Sequence, residues 1–215
     1  MSAGDSAVSN PLATEQSTRL LVALSWVAQR RQECEPAQIR PGLFLGSMAC
    51  FDNQPRLRSL GISHILSVVQ GVSPLPLSSG FHHVIIPLRD SPSEDLLSGL
   101  PLCFDTISQG LATGRAEGNE VPGSEFSEDG PRGGGGVLVH CMAGKSRSAA
   151  VVVAYLMKTE KCGFLDAFTR VTELRPQVAL NMGFARQLRA YEATLTAAAG
   201  ATENFDSFED GKRIK

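Results

Sequence analysis

The chain has 215 residues, 42% of them hydrophobic and 20% charged, which is ordinary usage for a soluble globular domain and enough for one core with tails. A formal net charge of -2 and a pI near 6.1 exclude a broad basic field for nucleic acid or an anionic membrane, so an anionic partner must be met in a local pocket. Cysteines at 34, 50, 103, 141 and 162 form no CxxC pair; they suggest neither a zinc cluster nor a disulfide framework, and they fit a reducing compartment, cytoplasmic or nuclear.

Residues 1–17 are small and polar, after which Leu20, Leu21, Leu24, Val27 and Ala28 share one stripe at helical spacing, the pattern of an amphipathic helix docked on a larger body. The apolar run 20–28, broken by Ser25, is too short to span a bilayer, and Asp5 and Glu15 are out of place in a transit peptide. Residues 1–38 are therefore set apart as a tail and helix, ahead of a domain over 39–198.

From Leu43 short apolar strands alternate with helices: LFLG, a helix over 54–60, SHILSVV, HHVIIPL, and a helix over 93–112. Alternation of this kind predicts an α/β domain with a central, mostly parallel sheet flanked by helices. His82 and His83 are neighbours on the third strand and must face opposite sides of the sheet; they read as packing or surface residues, and nothing predicts a metal. Residues 114–136 hold eight glycines, two prolines and five acidic residues in 23 positions, too little apolar surface to offset ordering, which predicts a disordered insertion. It feeds the start of the strand 137–140, opposite the end that delivers Cys141, and is expected not to wall a site there.

Beyond that strand comes a buried helix over 148–157. KTEKCG closes it, with Gly163 as the expected left-handed terminator. A second helix over 164–174 stops at Arg175-Pro176, and a third runs from about 181 to 199. The polar tail 199–215 is expected to be disordered.

The chemistry concentrates in HCMAGKSRS, residues 140–148, between the strand VLVH and the apolar helix. A tight loop opening onto a helix N-terminus presents free N–H groups and a favourable dipole to an anion. Gly144 permits the turn, the N–H groups of Met142, Ala143, Gly144, Lys145, Ser146 and Arg147 can face phosphate oxygens, and the fork of Arg147 can bind two of them. A thiol at the floor of such a cup should ionise more readily than a free cysteine, so Cys141 becomes a nucleophile suited to attack on phosphorus. A nucleotide-binding loop is the rival, since Gly144-Lys145-Ser146 copies the end of GxxxxGK[ST], but its leading position, 139, is Val and the pattern leaves Cys141 and Arg147 unexplained.

A phosphoester's leaving oxygen needs a proton. Asp90, at the end of the third strand, is preferred to Glu94 and Asp95, because Ser91-Pro92-Ser93-Glu94 reads as a capping box with Asp95 in a first helical turn. Ser148 is read as a cap of the buried helix, as a hydrogen-bond donor to the cysteine sulfur, or as both. His140 is a satisfied strand residue or a brace for the loop backbone.

With these residues in view, HCMAGKSRS matches HCxxGxxR[ST], and the chain resembles the dual-specificity phosphatases of the cysteine-dependent protein tyrosine phosphatase superfamily. IRPGLFLGS is similar to the family's opening strand, RLRSLGISHILSV to its next helix and strand, LRDSPSEDLL to its acid loop and ELRPQVALNMGFARQL to its C-terminal helical pair, covering residues 39–195. The resemblance implies Cys141 as nucleophile, Arg147 as phosphate clamp, Asp90 as general acid and later base, and Asn181 as a prop for the phosphate loop, though Asn181 reads equally as a helix N-cap. It implies no metal and no organic cofactor, with phosphotyrosine and phosphoserine or phosphothreonine on proteins as substrates. A phosphoinositide is the lesser alternative: Lys145 is similar to phosphoinositide-specific relatives, but Met142 stands where those often place another lysine. A phosphoprotein-binding module without turnover is the non-enzymatic alternative. The acid-loop and C-terminal motifs most resemble members with a C-terminal zinc-binding domain, whose function is not carried over because no cysteine follows Cys162.

Overall fold

The computed structural model describes residues 33–71, 80–116 and 135–209. The expected helix near residues 20–28, the interior of the glycine-rich insertion and the last six residues lie outside the described residues. The elements are β1 (Ala37–Arg40), β2 (Leu43–Ser47), α1 (Gln54–Ser59), β3 (Ile62–Val68), β4 (His82–Ile86), α2 (Leu100–Ala116), β5 (Gly136–Cys141), α3 (Arg147–Glu160), α4 (Phe164–Leu174) and α5 (Met182–Glu209). Short 3-10 turns precede α1 and α2.

The sheet order is β1-β2-β5-β3-β4. Four strands run parallel, and β1 alone is antiparallel, against β2, so the expected mostly parallel sheet is observed. All six residues of β5 are buried, as a continuous Val/Leu run in the middle of a parallel sheet requires. One face carries the main core, where Leu66, Val139, Val152, Leu156, Phe184 and Leu188 meet. The other carries a smaller cluster of Phe44, Cys50, Leu57, Ile65 and Leu138. Phe184 and Leu188 are fully buried and fasten α5 to the body, each contributing about 1.5–3 kcal/mol of burial.

The structure corrects four expectations. The helix expected from residue 93 begins at Leu100. Ser91–Glu94 forms a turn instead, closed by Glu94 N–H to the Ser91 carbonyl at 3.1 Å, and Pro101 falls in the helix's first turn, where a proline is tolerated. The left-handed residue after α3 is Lys161, with φ 54°, while Gly163 is extended and starts α4; the position follows from α3 ending at Glu160. The single opening strand expected in IRPGLFLGS is two, β1 (Ala37–Arg40) and β2 (Leu43–Ser47), paired antiparallel. Helix α5 continues to Glu209 through residues read as a disordered tail, since extending an existing helix costs far less than nucleating one.

Candidate active site

β5 delivers Cys141 at its C-terminal end, and α3 begins at Arg147, so residues 142–146 form the tight connection expected between strand and helix. The backbone of this loop is tied outward. The carbonyl of Cys141 lies 3.3 Å from His140 Nδ1, that of Met142 accepts from Met48 N–H at 3.1 Å, that of Lys145 from Ala179 N–H at 2.9 Å and that of Ser146 from Ala150 N–H at 2.8 Å. The Gly144 carbonyl accepts from Arg175 Nε at 3.1 Å. In a trans peptide the N–H points opposite to the carbonyl, and no peptide among the described residues is cis. Five engaged carbonyls, three held by distant segments, one by the neighbouring His140 ring and one by the first turn of α3, therefore direct five N–H groups, those of residues 142, 143, 145, 146 and 147, away from these partners. N–H groups left free in this way are what an anion would need.

Gly144 has φ +65°, and a Cβ there would meet the Gly46 carbonyl oxygen at 2.4 Å and Arg175 Nη2 at 2.8 Å. Only glycine allows the loop to lie this close to β2.

Cys141 lies at the floor of the loop, 1% exposed. Ser148 Oγ, on the first turn of α3, donates to its Sγ at 3.2 Å. Burial is the largest single influence on this thiol and pushes it up; the Ser148 hydroxyl and backbone, the Arg147 charge and the Gly144 backbone together outweigh burial and hold it below its ordinary value. The other cysteines with a resolved shift go the opposite way. Burial pushes Cys103 up to about 12 and raises Cys50 and Cys162. A depressed thiol beside a guanidinium sets Cys141 apart from the buried packing cysteines and has the character a nucleophile requires.

Of the two readings of Ser148, the sulfur bond is the one observed, since Ser146 occupies the N-cap position of α3. Ser146 is used elsewhere: its hydroxyl donates to Asp90 Oδ1 at 2.7 Å and accepts from Asn181 N–H at 3.2 Å. Asn181 combines both of its readings in modified form. Its Oδ1 caps α5 by accepting from Phe184 N–H at 2.9 Å, and its Nδ2 donates to Asp90 Oδ1 at 2.8 Å, so it props the phosphate loop through Ser146 and the aspartate rather than directly.

The carboxylate of Asp90 is thus asymmetric. Oδ1 is held by two donors, and Oδ2 lies 3.8 Å from Arg147 Nε, beyond hydrogen-bond range. Arg147 Nε is buried without a hydrogen-bond partner, while its Nη1 donates to the Leu88 carbonyl at 3.4 Å. The guanidinium thus faces Asp90 as an ion pair without a hydrogen bond, and its buried Nε–H stays available to a further acceptor. Glu94 and Asp95 face other work: Glu94 lies 3.8 Å from Arg89, and Asp95 Oδ1 accepts from Ser98 N–H at 3.2 Å. Met142 is half exposed and Lys145 exposed, both on the loop.

Three contributors escaped the sequence reading. Arg175, 4% exposed, braces the loop from behind through Gly144 and reaches the Glu35 carbonyl at 3.3 Å; burial lowers its pKa while Cys50, Cys141 and Glu33 act to raise it. Gln187 on α5 clamps the acid loop, accepting from Leu96 N–H at 2.9 Å and donating to the Glu94 carbonyl at 2.8 Å. Gly183 lets α5 approach that loop, for a Cβ there would meet the Pro92 carbonyl oxygen at 2.0 Å. The glycines and the Arg-Pro step were visible in the sequence, but their partners were not. Among the described residues no group of three or more His, Cys, Asp or Glu could hold a metal ion, and no helix is long and apolar enough to cross a membrane.

The family model for the dual specificity phosphatase catalytic domain matches residues 124–194. Dual specificity protein phosphatase 12 of Rattus norvegicus is 37% identical over 159 residues, covering 73% of this chain and 41% of that protein. Dual specificity protein phosphatase 1B of Arabidopsis thaliana is 34% identical over 163 residues, covering 76% of this chain and 85% of that one. The crystal structure of human tyrosine phosphatase-like serine/threonine/tyrosine-interacting protein superposes with a TM-score of 0.61 at 32% identity, over 74% of this chain and 96% of the other. The chain spans about two fifths of the length of the rat relative.

Proposed function

Because the chain belongs to the dual-specificity phosphatase family, we propose that it hydrolyses phosphate monoesters on proteins, phosphotyrosine and phosphoserine or phosphothreonine, through a phosphocysteine intermediate. The observation that carries the reading is the depressed thiol of Cys141 in a loop whose N–H groups are left free by five engaged carbonyls.

Those N–H groups are the cradle that, with Arg147, holds the three terminal phosphate oxygens, and the thiolate attacks phosphorus in line with the leaving oxygen. An S–P bond forms as the P–O bond breaks, and Asp90 Oδ2 gives its proton to the departing alkoxide or phenoxide. The same oxygen, now ionised, takes a proton from water as that water attacks phosphorus, and thiolate leaves with the Ser148 hydroxyl bonded to its sulfur. Arg147 stabilises the charge on the equatorial oxygens in both steps. A nucleophile that works as a thiolate suits a reducing compartment, and a cytoplasmic or nuclear location is part of the same proposal.

A phosphoinositide substrate is supported only by Lys145, an exposed cation on the loop, and Met142 beside it adds an apolar surface better matched to an aromatic or aliphatic side chain. The test is turnover of an aryl phosphate, inhibited by vanadate, together with binding and no turnover by Cys141→Ser. Binding without turnover by the unaltered protein makes it a phosphoprotein-binding module instead.

A further inference from the structure

On the sheet face opposite the main core, His140 of β5, Ser67 of β3 and His83 of β4 stand side by side. Ser67 pairs with His140 in the β3–β5 register, and His83 is next to it on the same face, paired with Ile65. Ser67 Oγ is hydrogen bonded to His140 Nε2 and lies 2.7 Å from His83 Nε2. The far nitrogen of His140, Nδ1, faces the carbonyl of the nucleophile itself at 3.3 Å. Ser67 and His140 are fully buried.

The chemistry of these contacts allows one order of protons. Burial, with the charges of His83 and Arg147, pushes His140 down to about 4 against the hydrogen bond from its Nδ1 to Cys141, so at neutral pH its ring carries one N–H. The Cys141 carbonyl can only accept, and that N–H must therefore sit on Nδ1. Nε2 is then a bare acceptor that takes the Ser67 hydroxyl proton. The Ser67 oxygen, having donated, accepts from His83 Nε2–H. The reverse order would leave two buried lone pairs facing each other between His140 and the carbonyl. His83 keeps the donor whether neutral or protonated; burial and, after it, the charge of neighbouring His82 lower its pKa.

We propose that Ser67 and His83 are positioning residues of the catalytic loop: a one-way chain runs from His83 Nε2–H through the Ser67 hydroxyl and the His140 ring to the Cys141 carbonyl, fixes the His140 tautomer and orients the Cys141–Met142 peptide. Donation to that carbonyl aims and polarises the opposite side of the same peptide, the Met142 N–H, toward the cradle. The next carbonyl, of Met142, is held by Met48 N–H at 3.1 Å, so the first two peptides after the sulfur are both fixed through their carbonyls. Phe51 packs edge-on against the His140 ring, with centroids 4.6 Å apart, and restricts its rotation. The role assigned to the loop rests on the phosphatase reading; the proton order does not.

The test uses the full chain with 15N-labelled histidine, Ser67→Ala and His83→Phe as disrupting variants, and His83→Gln, which keeps a side-chain N–H donor. Long-range 1H–15N spectra at pH 7 should show His140 protonated on Nδ1 in the unaltered protein and in His83→Gln, and a mixture of tautomers in Ser67→Ala. The pH profile of Cys141 alkylation by iodoacetate should move to higher pH in Ser67→Ala and His83→Phe and stay in place in His83→Gln. kcat/KM on an aryl phosphate should fall about five- to fiftyfold in Ser67→Ala. An Nε2-protonated His140 in the unaltered protein overturns the proposal, as does an alkylation profile unmoved by Ser67→Ala in a cooperatively folded variant. Were the protein to lack turnover, the spectra and the alkylation profile would still decide the chain, and only the phosphatase reading would fall.

Discussion

Replacing Ser148 by alanine removes one oxygen from behind the Cys141 sulfur. Ser148 Oγ donates to Cys141 Sγ at 3.2 Å, Ser148 is fully buried and Cys141 is 1% exposed, so no solvent stands ready to replace the bond. A hydrogen bond to a charged partner contributes about 1.5–3 kcal/mol, and each factor of ten in a protonation equilibrium corresponds to about 1.36 kcal/mol. The thiolate-to-thiol ratio of Cys141 should therefore drop by roughly ten- to a hundredfold at any pH below its midpoint. Helix α3 should survive, because its N-cap is Ser146 rather than Ser148 and alanine is the better helix former. The assay pairs the rate of carboxymethylation between pH 5 and 8 with stopped-flow turnover of an aryl phosphate. In Ser148→Ala the phosphocysteine should form and then break down slowly, seen as a burst of aryl alcohol followed by a depressed steady rate. A carboxymethylation rate equal to that of the unaltered protein across this range, with no burst, would refute the reasoning.

Three further outcomes are expected. Asp90→Asn should slow turnover of esters with poor leaving groups by about 10²–10⁴-fold and leave good leaving groups far less affected; equal slowing of both removes Asp90 from the proton step. His140 is depressed in the folded state from 6.5 to about 4, so its contribution to stability is present above pH 6.5 and is lost as pH falls through about 4; at about 1.36 kcal/mol per pH unit that is roughly 3 kcal/mol, to be read as a fall in the urea midpoint that is smaller in His140→Asn. Joining residue 116 to residue 135 through a short linker should leave kcat on a small substrate within about twofold, because the strand that follows is anchored at the sheet end remote from Cys141, with Gly136 N–H on the Gly61 carbonyl at 2.8 Å and Val137 N–H on the Gly42 carbonyl at 2.7 Å; the twofold bound reflects the small cost of changing a surface loop's length.

What the sequence disclosed follows the range of the forces involved. The strand, the loop and the buried helix around Cys141 are contiguous, so their spacing alone located the thiol, the arginine and the helix N-terminus. Asp90 could be chosen because its acidic neighbours had local explanations, although the structure supplies different ones: Glu94 pairs with Arg89 and Asp95 serves a 3-10 turn. The braces were hidden because they join distant segments. Ser67 meets His140 across 73 positions, Gln187 meets Leu96 across 91 and Arg175 meets Gly144 across 31. Strand β1 was not separated from the opening strand because four residues, AQIR, are too few to show a period. The helix start at Leu100 rather than 93 was legible in Pro101, which an interior helical position would not accept.

The most direct test of the account is peptide mapping of carboxymethylated protein as a function of pH, with and without arsenate or tungstate. Cys141 should react first, with a midpoint below that of an ordinary free thiol, and the oxyanions should shield it by occupying the cradle, while Cys50 and Cys103 stay unmodified. A Cys141 that titrates as an ordinary thiol and reacts equally fast in the presence of the oxyanions would contradict the account.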